Sequence, residues 1–171
     1  MEGFLEPKDV LNKLTLSKNM IAADFGSGSG GWVLSLAKKL EDGKVYAIDI
    51  LEEPLSALKA KANLDKIVNI ETIKSNIEKT SKLLTNTCDL ILITNLLFEV
   101  EDKKFVLEEA KRVLKPEGEI LVVDWKKDVL LGPRGREVPV EEIKKIAKEL
   151  DLKLEKEFDA SLYHWALLFK K

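Results

Sequence analysis

Residues 22–31 read Ala22-Ala23-Asp24-Phe25-Gly26-Ser27-Gly28-Ser29-Gly30-Gly31. The apolar run from Met20 to Phe25 has the length of a buried strand, and an acid and alternating glycines close it. Directly behind, Trp32, Val33, Leu36, Ala37 and Leu40 share one helical face. The order is strand, glycine turn, helix. Glycine admits the positive φ of a sharp turn and lets a ligand touch the main chain. The helix N-terminus adds unpaired N–H groups and the positive end of the dipole. A nucleotide-like ligand is expected at this loop.

Working outward, apolar runs and amphipathic segments alternate. Residues 7–14 suit a short helix, with Pro7 tolerated in its first turn. Strands are expected at 20–25, 44–50, 69–74, 88–94 and 119–124. Helices are expected at 30–41, from Pro54 onward, at 77–84 and at 102–114. Strict alternation of this kind gives parallel strands joined by right-handed crossover helices. After a helix opening at Pro139, strands at 151–158 and 163–170 are separated by only Asp159–Leu162. That gap is too short for a crossover, so the last two strands form an antiparallel hairpin.

The 171 residues indicate one domain over 1–171, with 1–19 leading into the first strand. Hydrophobic residues at 45% and charged residues at 34% place the chain in the soluble globular class. A net charge of -2 provides no basic field for a phosphate backbone, so nucleic acid is a disfavoured partner. Cys88 is the single cysteine, which excludes an internal disulfide and a cysteine metal cluster; no metal site is expected. The start is acidic and poor in apolar residues, and no run approaches the about 20 apolar residues that span a bilayer. The expectation is a cytoplasmic protein without a membrane segment.

Gly26, Gly28 and Gly31 also fit the dinucleotide pattern G-x-G-x-x-G. Asp24 argues against a pyrophosphate, because a carboxylate beside the loop repels it and suits a ligand carrying an ammonium group. The terminal hairpin does not continue the dinucleotide fold either. Asp49 closes the second strand, 23 residues after Gly26, where a carboxylate accepts hydrogen bonds from ribose hydroxyls. This device serves NAD and adenosylmethionine alike.

With these residues in view, the chain resembles the class I S-adenosylmethionine-dependent methyltransferases, and small single-domain members of the type-11-like group in particular. Asp24–Gly30, the strand ending Val45-Tyr46-Ala47-Ile48-Asp49, and Arg112-Val113-Leu114-Lys115-Pro116-Glu117-Gly118 carry the resemblance, which extends over residues 4–170. It implies a three-layer Rossmann-like, doubly wound α/β sheet of seven strands, mostly parallel, in the order 3-2-1-4-5-7-6. It implies S-adenosyl-L-methionine as cofactor and a small-molecule methyl acceptor. The loop containing Gly26, Ser27, Gly28 and Gly30 would pass under the amino-acid end of the cofactor, with Asp24 near its ammonium. Asp49 would hold the ribose, Ile50 and Ile77 the adenine, and Asn76 the adenine amino group. Asn95 would border the methionine portion.

Outside the carboxyl ends of the strands, two further residues are candidates for catalysis. Asp124 ends the fifth strand, and His164, the only histidine, begins the last strand at the same edge. A histidine near its ordinary pKa takes protons at neutral pH. Residues 127–138, glycine-bearing and basic, form a candidate substrate loop. Phe98 stands where related sequences often carry histidine, and leaves an apolar wall. The expected activity is methyl transfer to an unidentified small acceptor. The competing expectation is a non-catalytic S-adenosylmethionine-binding module, a sensor or partner subunit.

Overall fold

A computed structural model describes residues 4–129 and 131–171. The elements, in chain order, are α1 (Pro7–Leu11), β1 (Ile21–Phe25), α2 (Gly31–Lys39), β2 (Lys44–Asp49), α3 (Glu52–Leu64), β3 (Ile70–Lys74), β4 (Cys88–Thr94), α4 (Lys103–Val113), β5 (Leu114–Trp125), α5 (Val140–Glu149), β6 (Lys153–Asp159) and β7 (His164–Lys170). The strands form one sheet in the order β3-β2-β1-β4-β5-β7-β6, as the resemblance implies. The first five in sequence pair in parallel, and β7 runs antiparallel to both β5 and β6.

Side chains alternate across each strand and feed two cores, one on each face of the sheet. Ala23, Phe25, Ile91, Ile93, Leu167 and Phe169 meet α4 and α5 on one face. Ala22, Leu90, Leu92, Leu121, Ala166 and Leu168 meet α1 and α2 on the other. The central strands are buried on both sides, which explains their near-continuous apolar sequence. The outermost strand β6, Lys-Leu-Glu-Lys-Glu-Phe-Asp, is almost wholly exposed and charged, which discourages pairing with another chain.

Two expectations give way. Residues 77–84 form no helix: after a turn at 77–79 the chain is irregular up to β4. Its backbone is claimed by α4 instead. Glu109 Oε1 accepts from the Ser81 amide at 2.7 Å and the Ser81 hydroxyl at 2.6 Å, while Arg112 Nη2 donates to the Leu83 carbonyl at 2.8 Å. Lys82 and Asn86 sit at φ 64 and φ 56, which no right-handed helix accommodates. The second difference is β5, which begins at Leu114 rather than Glu119, with Leu114 paired to Cys88 and a register shift before Leu90.

Candidate functional site

Between β1 and its neighbours the chain reverses its direction of travel across the sheet, and open α/β sheets bind ligands outside the carboxyl ends at that point. A cleft of about 460 Å³ lies there. Its walls come from the β1 loop (Gly26, Gly28), the end of β2 (Ile48 to Leu51), the exit of β3 (Ser75 to Glu78) and the exit of β4 (Asn95, Leu96, Glu99, Val100).

The glycine loop is held by its own hydrogen bonds. The amides of Gly26 and Ser27 donate to the Ile48 carbonyl at 2.8 and 2.9 Å. The Gly28 amide donates to Asp49 Oδ2 at 2.8 Å, and the Leu51 amide to Asp49 Oδ1 at 2.9 Å. Gly26 (φ 75) and Gly30 (φ 87) take left-handed conformations. A side chain at Gly30 would also overlap the buried Leu58, and one at Gly26 would meet Leu96 at 2.7 Å. A phosphate-cradling loop presents free amides; here three successive ones are committed to β2.

Polar groups without partners mark what the site is built to receive. Both Asp24 oxygens, Ser27 Oγ and Asn95 Oδ1 are buried with no hydrogen-bond partner. Burial, and secondarily the Asp49 charge, hold the Asp24 carboxyl well above the usual carboxylate range. A buried acid in this state gains most from an incoming cation. Asn95 is left-handed at φ 50, a conformation asparagine tolerates better than most residues, and its amide donates to the Val123 carbonyl at 2.8 Å. Ile50 and Leu51, 55% and 59% exposed, form an apolar rim on the cleft.

Of the residues singled out from sequence, Gly26, Gly28, Asp49, Ile50, Asn76, Ile77 and Asn95 line the cleft. Asp24 and Ser27 lie buried at the end of β1 and in its loop, and Gly30 caps α2. Asn76 Oδ1 accepts from the Glu78 amide at 2.9 Å, which leaves its Nδ2 as the unused donor.

Asp124 and His164 are not among the cleft-lining residues, and both are fully buried. Asp124 Oδ2 accepts from the Leu97 amide at 3.0 Å and Oδ1 from the Trp125 amide at 2.8 Å. Burial lifts its carboxyl to about 6 against these backbone hydrogen bonds. Its visible task is to shape the turn after β4. His164 Nδ1 lies 2.9 Å from Ser161 Oγ, while Nε2 has no partner. Burial, and then nearby Lys126, push this histidine down to about 4. The two residues meet only through register: Asp124 pairs with Trp165 and Trp125 with His164.

Sequence reasoning missed Glu78, whose Oε1 accepts from the Glu101 and Asp102 amides at 2.8 and 2.9 Å and joins two walls of the cleft. A lone glutamate 23 residues from its partners carries no local signal. In the 127–138 segment, Leu130 lies outside the described residues. Val138 is buried, and the Arg136 guanidinium stands 5.7 Å from the Phe98 ring centroid. No group of three or more His, Cys, Asp or Glu among the described residues is arranged to hold a metal, and no described helix is long and apolar enough to cross a membrane.

This fold and this cleft define a class I methyltransferase architecture, and residues 16–166 match the methyltransferase domain family; the chain belongs to that family. A solved S-adenosylmethionine-dependent methyltransferase from Aquifex aeolicus is 31% identical, with a TM-score of 0.89 over 97% of this chain and 89% of that one. Demethylmenaquinone methyltransferase of Bacillus mycoides (strain KBAB4) is 30% identical over 128 residues, 74% of this chain. The chain spans about half, 54%, of that relative's length. The cyclase SpnF, 15% identical at a TM-score of 0.84, shares the fold alone. The architecture therefore does not by itself choose a reaction.

Proposed function

We propose that this protein binds S-adenosylmethionine in the cleft at the ends of β1, β2 and β4 and transfers its methyl group to a small-molecule acceptor. The observation that carries the reading is Asp24: a buried, unpaired carboxylate beside a glycine loop whose first three amides are committed to β2. That combination disfavours a pyrophosphate and favours an ammonium.

The residues present fit the group. Asp24 balances the ammonium, and the free Asn95 Oδ1 adds a second acceptor at the exit of β4. Asp49, fixed by two backbone amides, keeps lone pairs for the ribose hydroxyls. Ile50 and Ile77 provide apolar cover for the adenine, and Asn76 Nδ2 is placed to donate to a ring nitrogen rather than to accept from the amino group. When bound, the cofactor supplies a methyl group on a positively charged leaving group, so the protein's task is alignment and exclusion of water.

Leu97, Phe98 and the Arg136-covered turn after β4 form the boundary on the acceptor side. The quinone named for the Bacillus mycoides relative belongs to a longer protein, of which the match covers 54%. It supports a small organic acceptor here and leaves open which one.

The full burial of Asp124 and His164 favours, as a second reading, a cofactor-binding module without turnover. Calorimetry with S-adenosylmethionine and with NAD, followed by a screen of acceptor pools for adenosylhomocysteine release, tests both. Binding with release supports the enzyme; binding with no release from any pool supports the module; binding of NAD alone contradicts both.

A further inference from the structure

At the ends of β5 and β7 four aromatic rings gather beneath the N-terminal segment. The Trp125 and His164 ring centroids are 4.1 Å apart, Phe4 stands edge-on to His164 at 6.1 Å and 82°, and Phe4 lies 6.4 Å from Tyr163. His164 is completely buried, yet its Nε2 has no partner. A buried ring nitrogen left unpaired costs about 1–3 kcal/mol, so its retention asks for a reason.

Ser161 Oγ accepts from the Tyr163 amide at 3.1 Å and lies 2.9 Å from His164 Nδ1. A hydroxyl has one hydrogen and two lone pairs, so it pairs with Nδ1 in either tautomer of the ring. In the tautomer protonated on Nε2, the unpaired group is an N–H donor. Burial and Lys126 keep this imidazole neutral and weakly basic, which suits donation rather than proton abstraction.

Phe4 is the covering ring. It is 43% exposed, while the next residue, Leu5, is buried in the core that packs α1. The Phe4 ring packs edge-on against the imidazole, a geometry that any planar aromatic ring can adopt there.

We propose that the corner lined by Trp125, Tyr163 and His164 is the acceptor subsite, that Phe4 covers it and moves aside on binding, and that it takes a planar aromatic acceptor whose oxygen receives a hydrogen bond from His164 in its Nε2-protonated tautomer. The inference rests on the methyl-transfer reading and adds to it the chemical class of the acceptor. Asn95, at the cleft, bonds to Val123 of β5, and Trp125 lies two residues further on, so the corner adjoins the cleft through a single strand end.

The single histidine makes the test unambiguous by nitrogen NMR of the imidazole, with 4-nitrophenol as the probe and adenosylhomocysteine present. The protein alone should show the Nε2-protonated tautomer, and saturating 4-nitrophenol should shift the Hε2 resonance. Phe4→Ala should bind 4-nitrophenol several-fold more tightly. His164→Phe, which keeps the packing and loses the donor, should bind it about tenfold more weakly. An Nδ1-protonated ring, an unmoved Hε2 signal at saturation, or Phe4→Ala affinity equal to the parent overturns the proposal. Calorimetry with adenosylhomocysteine on the same samples separates the two claims. Its binding without 4-nitrophenol binding removes the subsite alone, whereas failure of both removes the methyl-transfer reading as well.

Discussion

The Gly28 amide donates to Asp49 Oδ2 at 2.8 Å, so one carboxylate at the end of β2 fixes the crest of the glycine loop that follows β1. The Leu51 amide occupies the other oxygen at 2.9 Å. Asp49 thus shapes the site before any ligand arrives, and its remaining lone pairs face the cleft that it lines.

Replacing Asp49 by alanine leaves both amides without their acceptor. The expected result is a loss of about 1–3 kcal/mol in S-adenosylmethionine binding, together with a lower melting temperature. Calorimetry and thermal denaturation check the two effects separately. Unaltered affinity would take Asp49 out of the ligand's contacts.

Asp24 makes the opposite prediction for stability. Its pKa is raised in the folded protein, so the native state holds this proton to higher pH than the unfolded chain, whose ordinary value is 3.8. Stability therefore declines as pH climbs from that value through the raised native one, because the unfolded chain ionises first. Asp24→Asn removes this dependence. Its melting temperature should exceed that of the parent by a margin that widens as pH rises above 3.8, while S-adenosylmethionine binding falls. Parallel melting profiles for the two proteins would contradict a buried unpaired carboxyl.

The glycine at the head of α2 is tested by Gly30→Ala. A methyl group there meets both a left-handed φ of 87 and the buried Leu58 side chain. Destabilisation by about 1–3 kcal/mol is expected in chemical denaturation. Gly31→Ala, with nothing within 4 Å of the added carbon, serves as the control and should be neutral or slightly stabilising.

Glu109 anchors the irregular 80–87 segment from α4. Burial alone would raise its pKa, but hydrogen bonds from Arg112 and Ser81 outweigh this and hold it at about 2. A depressed carboxyl stabilises the fold above the unfolded value, 4.5, and that contribution disappears as pH falls toward about 2. Glu109→Ala strands the Ser81 amide and the Arg112 guanidinium and should cost about 2–4 kcal/mol near neutral pH. Denaturant titrations at about pH 7 and about pH 3 should show a smaller mutant–parent gap at the lower pH. An equal gap at both would show that the carboxylate charge contributes nothing.

The contrast between Asp24 and Ser81 explains how far the sequence could be read. The strand, the glycine loop and α2 lie within some twenty consecutive residues, and each is dictated by local periodicity or by φ. The closing hairpin was legible for the same reason, because a short gap forbids a crossover. Residues 77–84 have helical spacing, yet Ser81 is captured by Glu109, 28 positions away. No local pattern records that capture. Asp124 shows a subtler limit. Its place at a strand end is visible in the sequence, but the amides of Leu97 and Trp125 that occupy its oxygens arrive only when the turn after β4 folds back over β5.

The role of Asp24 in holding the ligand is decided by calorimetric titration of S-adenosylmethionine into the parent protein and into Asp24→Asn. Saturable one-to-one binding to the parent and a marked weakening in the variant are expected, with no NAD binding to either. Equal affinity of the two proteins for S-adenosylmethionine, or binding of NAD in its place, would contradict that role.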